Sequence, residues 1–361
     1  MRVAMIGPKL SAKGGIASLA RTFIESEALA DVEVRYFGTV GDGSAARRLA
    51  QVARSEARLA ATLARGWRPD LFHIHVADGM SFYRKVFYLE QARALGVPVI
   101  LHNNFAHLET LVERSPLHAG LVRHAYSTAT QVHVVSHDMA RQIAAWTDGR
   151  ATIRVLFNPV SVDEFHAPAG GRGPKASPTV LFMGYVGDRK GVFDLVAAWP
   201  AVLKRLPRAR LVIGGNGELD RLRADISRLG LERSVEVLGW ISGERRMQAF
   251  AEADLYCLPS YAEGQPVSVL EAMASGLAVV STTVDGIPDA IVEGETGFMV
   301  EPGDREALAG RLGELLSDPG LRDRMGAAGR ARVEQVFDAE VLSTTLRGYW
   351  AEALQGAAKA A

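Results

Sequence analysis

Two carboxylates and a proline stand out in the stretch from Pro259 to Val280. Glu263 lies in a polar, glycine-containing loop that follows an apolar run, and Glu271 comes after seven intervening residues. Pro266, between them, opens a segment rich in Ala, Leu and Met that is typical of a helix. A proline suits the first helical position because its missing N–H would have no partner there. The sequence therefore predicts a strand, a loop and a helix that starts at Pro266.

The start of this helix is suited to binding an anion. The main-chain N–H groups of Gln265, Val267 and Ser268 are expected where a helix offers no internal acceptors, and the helix dipole adds positive partial charge. The two carboxylates, however, would repel a bare phosphate. A ligand that carries hydroxyl groups as well as phosphate fits this mixture better, and a nucleotide sugar carries both.

A structural alternative exists for one of the carboxylates. Ser268 and Glu271 have the spacing of a capping box, in which the glutamate only closes off the helix start. If Pro266 is the first helical residue, Glu271 falls beyond the capping position. The position of Pro266 therefore favours the ligand-binding interpretation.

Motifs in this region resemble the signature of the family-four retaining glycosyltransferases, which have the GT-B fold. They are Glu263-Gly264-Gln265-Pro266, Leu270-Glu271-Ala272-Met273-Ala274, and Gly276 before an apolar strand. The similarity covers most of the C-terminal half, whereas the N-terminal half resembles the family in layout. It implies that Glu263 binds sugar hydroxyls of a nucleotide-sugar donor and Glu271 its ribose hydroxyls, neither acting as a covalent nucleophile.

A glycine-rich loop from Gly184 to Gly191 is expected to hold the donor diphosphate. Lys190 stands where the family has a lysine that grips this group, but Tyr185 occupies the place of a family arginine. Either Arg189 supplies the missing cation, or Lys190 and main-chain amides hold the diphosphate while Tyr185 adds a hydroxyl donor. An ordinary solvated turn is the structural alternative.

Other positions are expected near the donor because glycine lets the backbone approach a ligand closely. They are Gly15 in the first glycine loop, Gly215 and Asn216, Gly239 and Trp240, and Gly264, Gln265, Pro266 and Val267 around the helix start. A simple glycine turn is the alternative for the loops. The loop at Gly15 carries no G-x-G-x-x-G, so a nicotinamide cofactor is not indicated.

His102 is assigned to catalysis together with Glu263 and Lys190. It follows an apolar run and stands where the family places a histidine that points into the cleft between the domains. His73 and His75 share one face of another strand, but no third ligand is apparent, so we expect no metal site. The resemblance also implies transfer without a metal or cofactor, with the departing phosphate oxygen taking the acceptor proton.

Twelve short apolar runs alternate with helical patterns along the chain. They begin at Arg2, Val32, Leu71, Val97, Gln131 and Ile153 in the first half and at Thr179, Arg210, Val235, Ala253, Ala278 and Phe298 in the second. This alternation is typical of parallel sheets covered on both faces, with ligands at the carboxyl ends of the strands. We predict the α/β class, with two doubly wound, Rossmann-like domains facing a central cleft as in GT-B enzymes.

A stretch rich in Gly, Pro and Ala, from Ala167 to Pro178, separates the two halves. We predict an acceptor-side domain over residues 1–165, a linker over 166–178 and a nucleotide-sugar-binding domain over 179–340. By resemblance, a last helix over 341–361 packs back on the first domain.

The composition, 48% hydrophobic and 23% charged, is that of an ordinary globular protein. The first residues of the sequence are predicted to form a strand, so no export signal is evident. No apolar run approaches the roughly 20 residues of a membrane span. The single cysteine, Cys257, is expected in the core and cannot form an internal disulfide, so we expect a cytoplasmic protein.

Six arginines lie on one predicted helix: Arg47, Arg48, Arg54, Arg58, Arg65 and Arg68. This helix can dock on anionic lipid at the inner membrane face, with a solvated face as the alternative.

The leading hypothesis is a retaining, metal-independent hexosyltransferase that uses a UDP- or GDP-linked sugar. The acceptor is expected to be lipid-linked or a polysaccharide, and nucleic acid is not expected as a partner. A nucleotide-sugar epimerase or a phosphorylase on the same fold is one alternative. A nucleotide-sugar-binding protein without transferase activity is another, motivated by Tyr185 in place of the arginine.

Overall fold

The computed structural model describes residues 1–12, 15–40, 45–77, 79–104, 112–113, 115–167 and 171–360. The chain forms two compact units. Unit 1 comprises Met1–Pro159 and Ala339–Ala361, and unit 2 comprises Val160–Asp338. The first part of unit 1 thus ends at Pro159, where the prediction was 165, and unit 2 covers the predicted linker and ends at Asp338, where the prediction was 340.

Unit 1 is built on a parallel six-stranded sheet. Its strands are β1 (Arg2–Gly7), β2 (Glu33–Gly38), β3 (Leu71–Val76), β4 (Val99–Asn103), β5 (Gln131–Val134) and β6 (Ile153–Val155). Their order across the sheet is β2-β1-β3-β4-β5-β6. Strands β3, β4 and β5 are buried throughout, which explains why most of their residues are apolar even though each strand also carries histidine.

Helices cover both faces of this sheet. Those described are α1 (Gly15–Glu25), α2 (Ala45–Ala64), α3 (Met80–Ala94), α4 (Pro116–Thr128), α5 (His137–Trp146) and the C-terminal helix Ala339–Ala360. Successive residues of a strand point to opposite faces, so Ile6 and Met5 belong to different apolar clusters. Each face thus has its own core.

The C-terminal helix completes one of these cores. Its buried residues recur at intervals of three and four: Leu342, Leu346, Trp350 and Ala353. Nε1 of Trp350 also donates a hydrogen bond of 3.0 Å to Nδ1 of His73 on β3. Burial of a large apolar side chain contributes about 1.5–3 kcal/mol, so this helix is an integral part of unit 1. It begins at Ala339, two residues before the predicted start at 341.

Unit 2 repeats the architecture with a second parallel sheet. Its strands are β7 (Thr179–Met183), β8 (Arg210–Gly214), β9 (Val235–Gly239), β10 (Leu255–Leu258), β11 (Ala278–Thr282) and β12 (Gly297–Val300), in the order β12-β11-β10-β7-β8-β9. Two parallel sheets with flanking helices confirm the predicted α/β class and its two Rossmann-like units. Cys257 lies fully buried in β10, as expected.

The described helices of unit 2 alternate with the strands, except that two consecutive helices follow β12. They are α6 (Val192–Arg205), α7 (Leu219–Arg228), α8 (Glu244–Glu252), α9 (Val267–Ala274), α10 (Ile287–Ala290), α11 (Arg305–Ser317) and α12 (Pro319–Val336). Within the ranges that the structure describes, none of the helices has both the length and the apolar character needed to cross a membrane.

The predicted linker, residues 166–178, is described except for residues 168–170, and its part from 171 to 178 is bound to unit 2. Arg172 donates its main-chain N–H to Asp323 (3.0 Å) and its guanidinium to the carbonyl of Ser275 (2.8 Å). Lys175 forms a 2.9 Å ion pair with the fully buried Asp254. This segment is therefore part of unit 2 and not a free spacer. Its Gly- and Pro-rich composition gave no sign of these partners.

Candidate functional site

The loop between β10 and α9 carries the residues that the sequence singled out first. Pro266 is the N-cap residue of α9, with φ −76° and ψ 109°, and the helix begins at Val267. The prediction that Pro266 is the first helical residue is therefore wrong by one position, because its extended ψ belongs to the residue that precedes a helix. The amides of Val267 and Ser268 still lie in the first turn, where an anion would be favoured.

The same register decides the role of Glu271. Counted from Val267, Glu271 is the fifth helical residue, whereas a capping box needs a glutamate at the third. Its carboxylate instead forms an ion pair with Arg246 of α8. Only 13% of the Glu271 side chain is exposed. Burial raises the pKa of the Glu271 carboxyl to about 7, and the nearby Arg246 guanidinium opposes this rise.

Glu263 is more deeply buried, with 6% of its side chain exposed. Its carboxylate accepts a hydrogen bond from Ser260 Oγ (2.7 Å) and forms an ion pair with Lys190. Its main-chain N–H donates to Oδ2 of Asp285 at 2.6 Å. Two residues predicted from separate motifs, Glu263 and Lys190, thus meet at one point.

The glycine-rich loop after β7 approaches this point because of Gly191. Gly191 has φ +66°, and a Cβ there would lie 1.8 Å from the carbonyl oxygen of Pro259. Only glycine allows the turn that carries Lys190 to come this close to the β10 loop. Arg189 strengthens the contact: its carbonyl accepts from the N–H of Tyr261 (2.8 Å), and its guanidinium donates to the carbonyl of Ala262 (3.0 Å).

Arg189 is therefore held by hydrogen bonds to the loop that carries Glu263. Tyr185, the other residue considered for the diphosphate, is 51% exposed. Its ring lies against Gly187 and Gly217, where added Cβ atoms would come within 2.8 and 3.0 Å of ring carbons. The assignment of Arg189 and Tyr185 as ligands of the diphosphate stays a prediction.

The loops after β7, β8 and β9 are joined at the carboxyl edge of the sheet. Gly215 donates its N–H to Gly239 (2.8 Å), and Asn216 accepts from the N–H of Val186 (2.7 Å). A Cβ on Gly215 would lie 1.7 Å from the carbonyl oxygen of Gly184, so this approach requires glycine. Trp240 follows directly and is 53% exposed. This edge is where ligands of open parallel sheets bind.

Gly15 and His102, the two predicted site residues of unit 1, differ in exposure. Gly15 is the exposed first residue of α1, while Lys13 and Gly14 of the predicted loop lie outside the described residues. His102 is fully buried, which contradicts the expectation that it points into a cleft. The reason is the length of β4: the strand ends at Asn103 and not at the predicted Leu101, so His102 is an internal strand residue.

The ring of His102 lies in a cluster of buried histidines. One ring nitrogen from each of His73, His75 and His102 lies within 4.8 Å of the other two. His102 therefore supplies the third potential ligand that was expected to be missing. His73, however, accepts a hydrogen bond from Trp350 and forms one of 3.2 Å with His102. The bond between His73 and His102 accounts for the close approach of these two rings without an ion, and the absence of a metal stays a prediction.

Arg246, Ser260 and Asp285 contact the predicted site residues but were missed by the sequence analysis. Arg246 lies on a polar helix among other charged residues, and nothing in its spacing points to Glu271. Asp285 precedes Gly286, a pair that signals a turn without revealing its contact with Glu263.

Comparisons with known proteins agree with this arrangement. The family profile described as glycosyl transferases group 1 matches residues 168–332, and the one described as glycosyl transferase 4-like domain matches residues 14–159. Phosphatidyl-myo-inositol mannosyltransferase of Mycobacterium tuberculosis is 37% identical over 227 residues, which are 61% of this chain and 59% of that protein. The chain thus spans less than two thirds of this curated relative.

Solved structures share the fold over nearly the whole chain. Sucrose-phosphate synthase from Thermosynechococcus elongatus has a TM-score of 0.80 at 20% identity, covering 98% of both chains. Anabaena HepE in complex with UDP-glucose has a TM-score of 0.72 at 20% identity, covering 98% of this chain and all of that one. With two family profiles that together span most of the sequence, the chain belongs to the family-four glycosyltransferases, which have the GT-B fold.

Proposed function

We propose that this protein transfers a hexose, with retention, from a UDP- or GDP-linked sugar to a lipid-linked or polysaccharide acceptor. The observation that carries the proposal is the meeting of Lys190 and Glu263 at the carboxyl edge of the unit 2 sheet. A diphosphate needs cations and amides, whereas sugar and ribose hydroxyls need carboxylate acceptors. This edge offers both kinds of group.

Each part of the donor then has its own partner. Glu271 accepts hydrogen bonds from the ribose hydroxyls, and Glu263 accepts them from the hexose. Lys190 and the first amides of α9 contact the diphosphate, with Arg189 or Tyr185 as a further donor. The M. tuberculosis relative is named a mannosyltransferase, and the HepE structure contains UDP-glucose; these names support a nucleotide sugar as the donor.

The proposed reaction takes place on one face of the sugar. The bond between the anomeric carbon and the diphosphate oxygen breaks as the acceptor hydroxyl oxygen bonds to that carbon from the same side. The hydroxyl proton passes to the departing phosphate oxygen. Lys190 and the helix amides stabilise the growing negative charge on the diphosphate, and Glu263 holds the sugar in place. These groups supply the positive charge, so the proposal needs no metal or cofactor.

His102 has no part in this mechanism, because its ring is fully buried. Gly15 is proposed to let the backbone of unit 1 approach the donor. Unit 1 is also proposed to take the acceptor. The M. tuberculosis relative is named after a lipid, phosphatidyl-myo-inositol. This name supports a lipid-linked acceptor and peripheral contact with the inner membrane face.

A thermal-shift panel of UDP, GDP, ADP and their sugars tests donor binding, since a ligand of the folded state raises stability by RT ln(1 + [L]/Kd). Turnover of the best donor is then measured with and without EDTA in wild type, Glu263→Ala and Lys190→Ala. We expect both variants to lose turnover and EDTA to have no effect. Glu236→Ala, at an exposed pair with Arg210, is the matched control.

The outcomes separate the alternatives. A thermal shift without any sugar release or transfer would favour a binding protein that lacks transferase activity. Turnover that survives in Glu263→Ala and Lys190→Ala would refute the assignment of the site.

A further inference from the structure

The turn after β11 contains a residue in an unfavourable backbone conformation. Asp285 has φ +49°, in the left-handed region. Fifteen glycines in the described part of the chain share a positive φ, but only one other non-glycine residue does, Asp148. Left-handed φ costs a residue with a Cβ on the order of 1 kcal/mol, and such residues are concentrated where a surrounding contact requires them.

The contact at Asp285 is with the candidate site. Its Oδ2 accepts the main-chain N–H of Glu263 at 2.6 Å, a short bond of the kind made by ionised acceptors. The residues joined are 22 positions apart, on the loops after β10 and β11. A second bond joins the same region, from Oγ1 of Thr282, the last residue of β11, to the carbonyl of Ser260 (2.6 Å).

Glu263 is thus fixed from both ends. Lys190 and Ser260 hold its carboxylate, and Asp285 holds its main-chain amide. A glycine at position 285 would adopt the same φ at no steric cost but would leave the amide without this acceptor. The chain therefore has a strained residue where an unstrained one fits, and the Asp285 carboxylate supplies at this position the acceptor for the Glu263 amide.

We propose that Asp285 is a positioning residue, which holds the amide of Glu263 so that the Glu263 carboxylate faces the donor sugar. This inference rests on the proposed function for the role of Glu263. Asp285 then affects the placement of the sugar and not the binding of the nucleotide.

The first measurement needs no substrate. Hydrogen exchange of the full-length protein is compared between wild type and Asp285→Gly, in peptides that isolate the Glu263 amide. Loss of a bond to a charged acceptor is expected to speed exchange at this amide about 10- to 100-fold. The melting temperature should change little, because the relief of backbone strain offsets much of the cost of the lost hydrogen bond. Unchanged exchange at Glu263 would overturn the proposal.

The second measurement is turnover. Asp285→Gly should lower kcat for sugar transfer about 10-fold or more, while the Kd for the nucleoside diphosphate alone stays within about twofold. Asp285→Asn keeps an acceptor oxygen and tolerates the left-handed conformation, so it should retain the amide protection and most of the activity. An Asn variant with full protection but the activity of the Gly variant would refute positioning through this bond.

The chain supplies a matched control in Asp148→Gly. Asp148 has φ +52° and lies at the exposed end of α5 in unit 1, where its carboxylate pairs with Arg150. This variant should relieve the same strain without changing exchange at Glu263 or turnover. A wild-type protein that transfers no sugar would refute the proposed function, whereas the exchange experiment would still decide whether Asp285 positions Glu263.

Discussion

Lys190 and Glu263 lie 73 residues apart in the chain and form an ion pair at the carboxyl edge of the unit 2 sheet. Their side chains are only 15% and 6% exposed. The cation proposed for the diphosphate is therefore held by the carboxylate proposed for the sugar. A donor that binds here must interact with Lys190 and Glu263 while these two side chains are also paired with each other. The position of the sugar is therefore linked to the position of the leaving group.

This pair should have a measurable effect on stability. Lys190→Met leaves the buried Glu263 carboxylate with Ser260 as its side-chain donor, and removal of one member of a buried pair costs roughly 2–4 kcal/mol. The double variant Lys190→Met, Glu263→Gln removes the uncompensated charge and should be more stable than Lys190→Met alone. Urea unfolding of unit 2 measures both effects.

Arg210→Met provides the comparison, since Arg210 and Glu236 form a pair that is half exposed on both sides. Its effect should stay below about 1 kcal/mol. A Lys190→Met protein as stable as wild type would contradict the importance of the pair.

The second prediction concerns pH and the nucleotide. Burial raises the pKa of Glu271 to about 7, and only the ionised carboxylate accepts hydrogen bonds from two ribose hydroxyls at once. Below pH 7 the protonated form predominates, so affinity for a nucleoside diphosphate should fall by up to about tenfold per pH unit. Calorimetric titration between pH 5.5 and 8.5 measures this dependence.

Arg246 sets where this change occurs. The Arg246 guanidinium favours the ionised form of Glu271, and Glu164 opposes it. Arg246→Met should therefore move the midpoint to higher pH, and Glu271→Gln should abolish the dependence. A 2′-deoxynucleoside diphosphate, which lacks one of the hydroxyls, should show a weaker dependence. An affinity that is independent of pH in wild type would rule out this role for Glu271.

A third prediction addresses the membrane. Arg54 and Arg58 lie exposed on α2, and each basic residue near an anionic surface contributes about 1 kcal/mol at most. The protein should sediment with phosphatidylserine vesicles at low salt and dissociate from them at high salt. It should not bind neutral vesicles. The pair Arg54→Glu and Arg58→Glu should reduce binding. The same changes at Arg223 and Arg228, on α7 of unit 2, should not; equal loss in both variants would point to net charge instead of α2.

The architecture was predictable from the sequence because buried parallel strands need apolar side chains on both faces. All twelve predicted strands are present, since each is a short apolar run between helical segments. The ends of the strands were harder to predict from the sequence, because a polar residue can lie inside a strand when its side chain has a buried hydrogen-bond partner. His102 is such a case: its hydrogen bond to His73 keeps it within β4.

The residues of the candidate site that lie in local motifs, Glu263, Glu271 and Lys190, could be singled out from the sequence. The partners Arg246 and Asp285 could not, because they reach the site from other elements through the fold. Glu263 meets Asp285 only where β10 and β11 lie side by side, and local sequence carries no sign of that neighbour. Motifs predict which groups would bind a ligand, whereas the groups that hold those side chains depend on tertiary structure.

The last prediction concerns the histidine cluster of unit 1. Burial lowers the pKa of His102 to about 3 and places those of His73, His75 and His133 well below the usual 6.5. Below pH 6.5 the unfolded chain therefore binds protons that the folded unit cannot, and the free energy of unfolding falls as the pH falls. Each histidine contributes about 1.4 kcal/mol per pH unit in this range.

Unit 1 should accordingly unfold steeply in mild acid, while unit 2, whose one histidine is His166, should not unfold by this route. Hydrogen exchange resolved by unit, between pH 7.5 and 4.5, distinguishes them. His102→Asn should reduce the pH slope of unit 1 by about one proton, because one buried imidazole is gone. If His102→Asn keeps the wild-type slope, the buried histidines are not the source of the acid sensitivity.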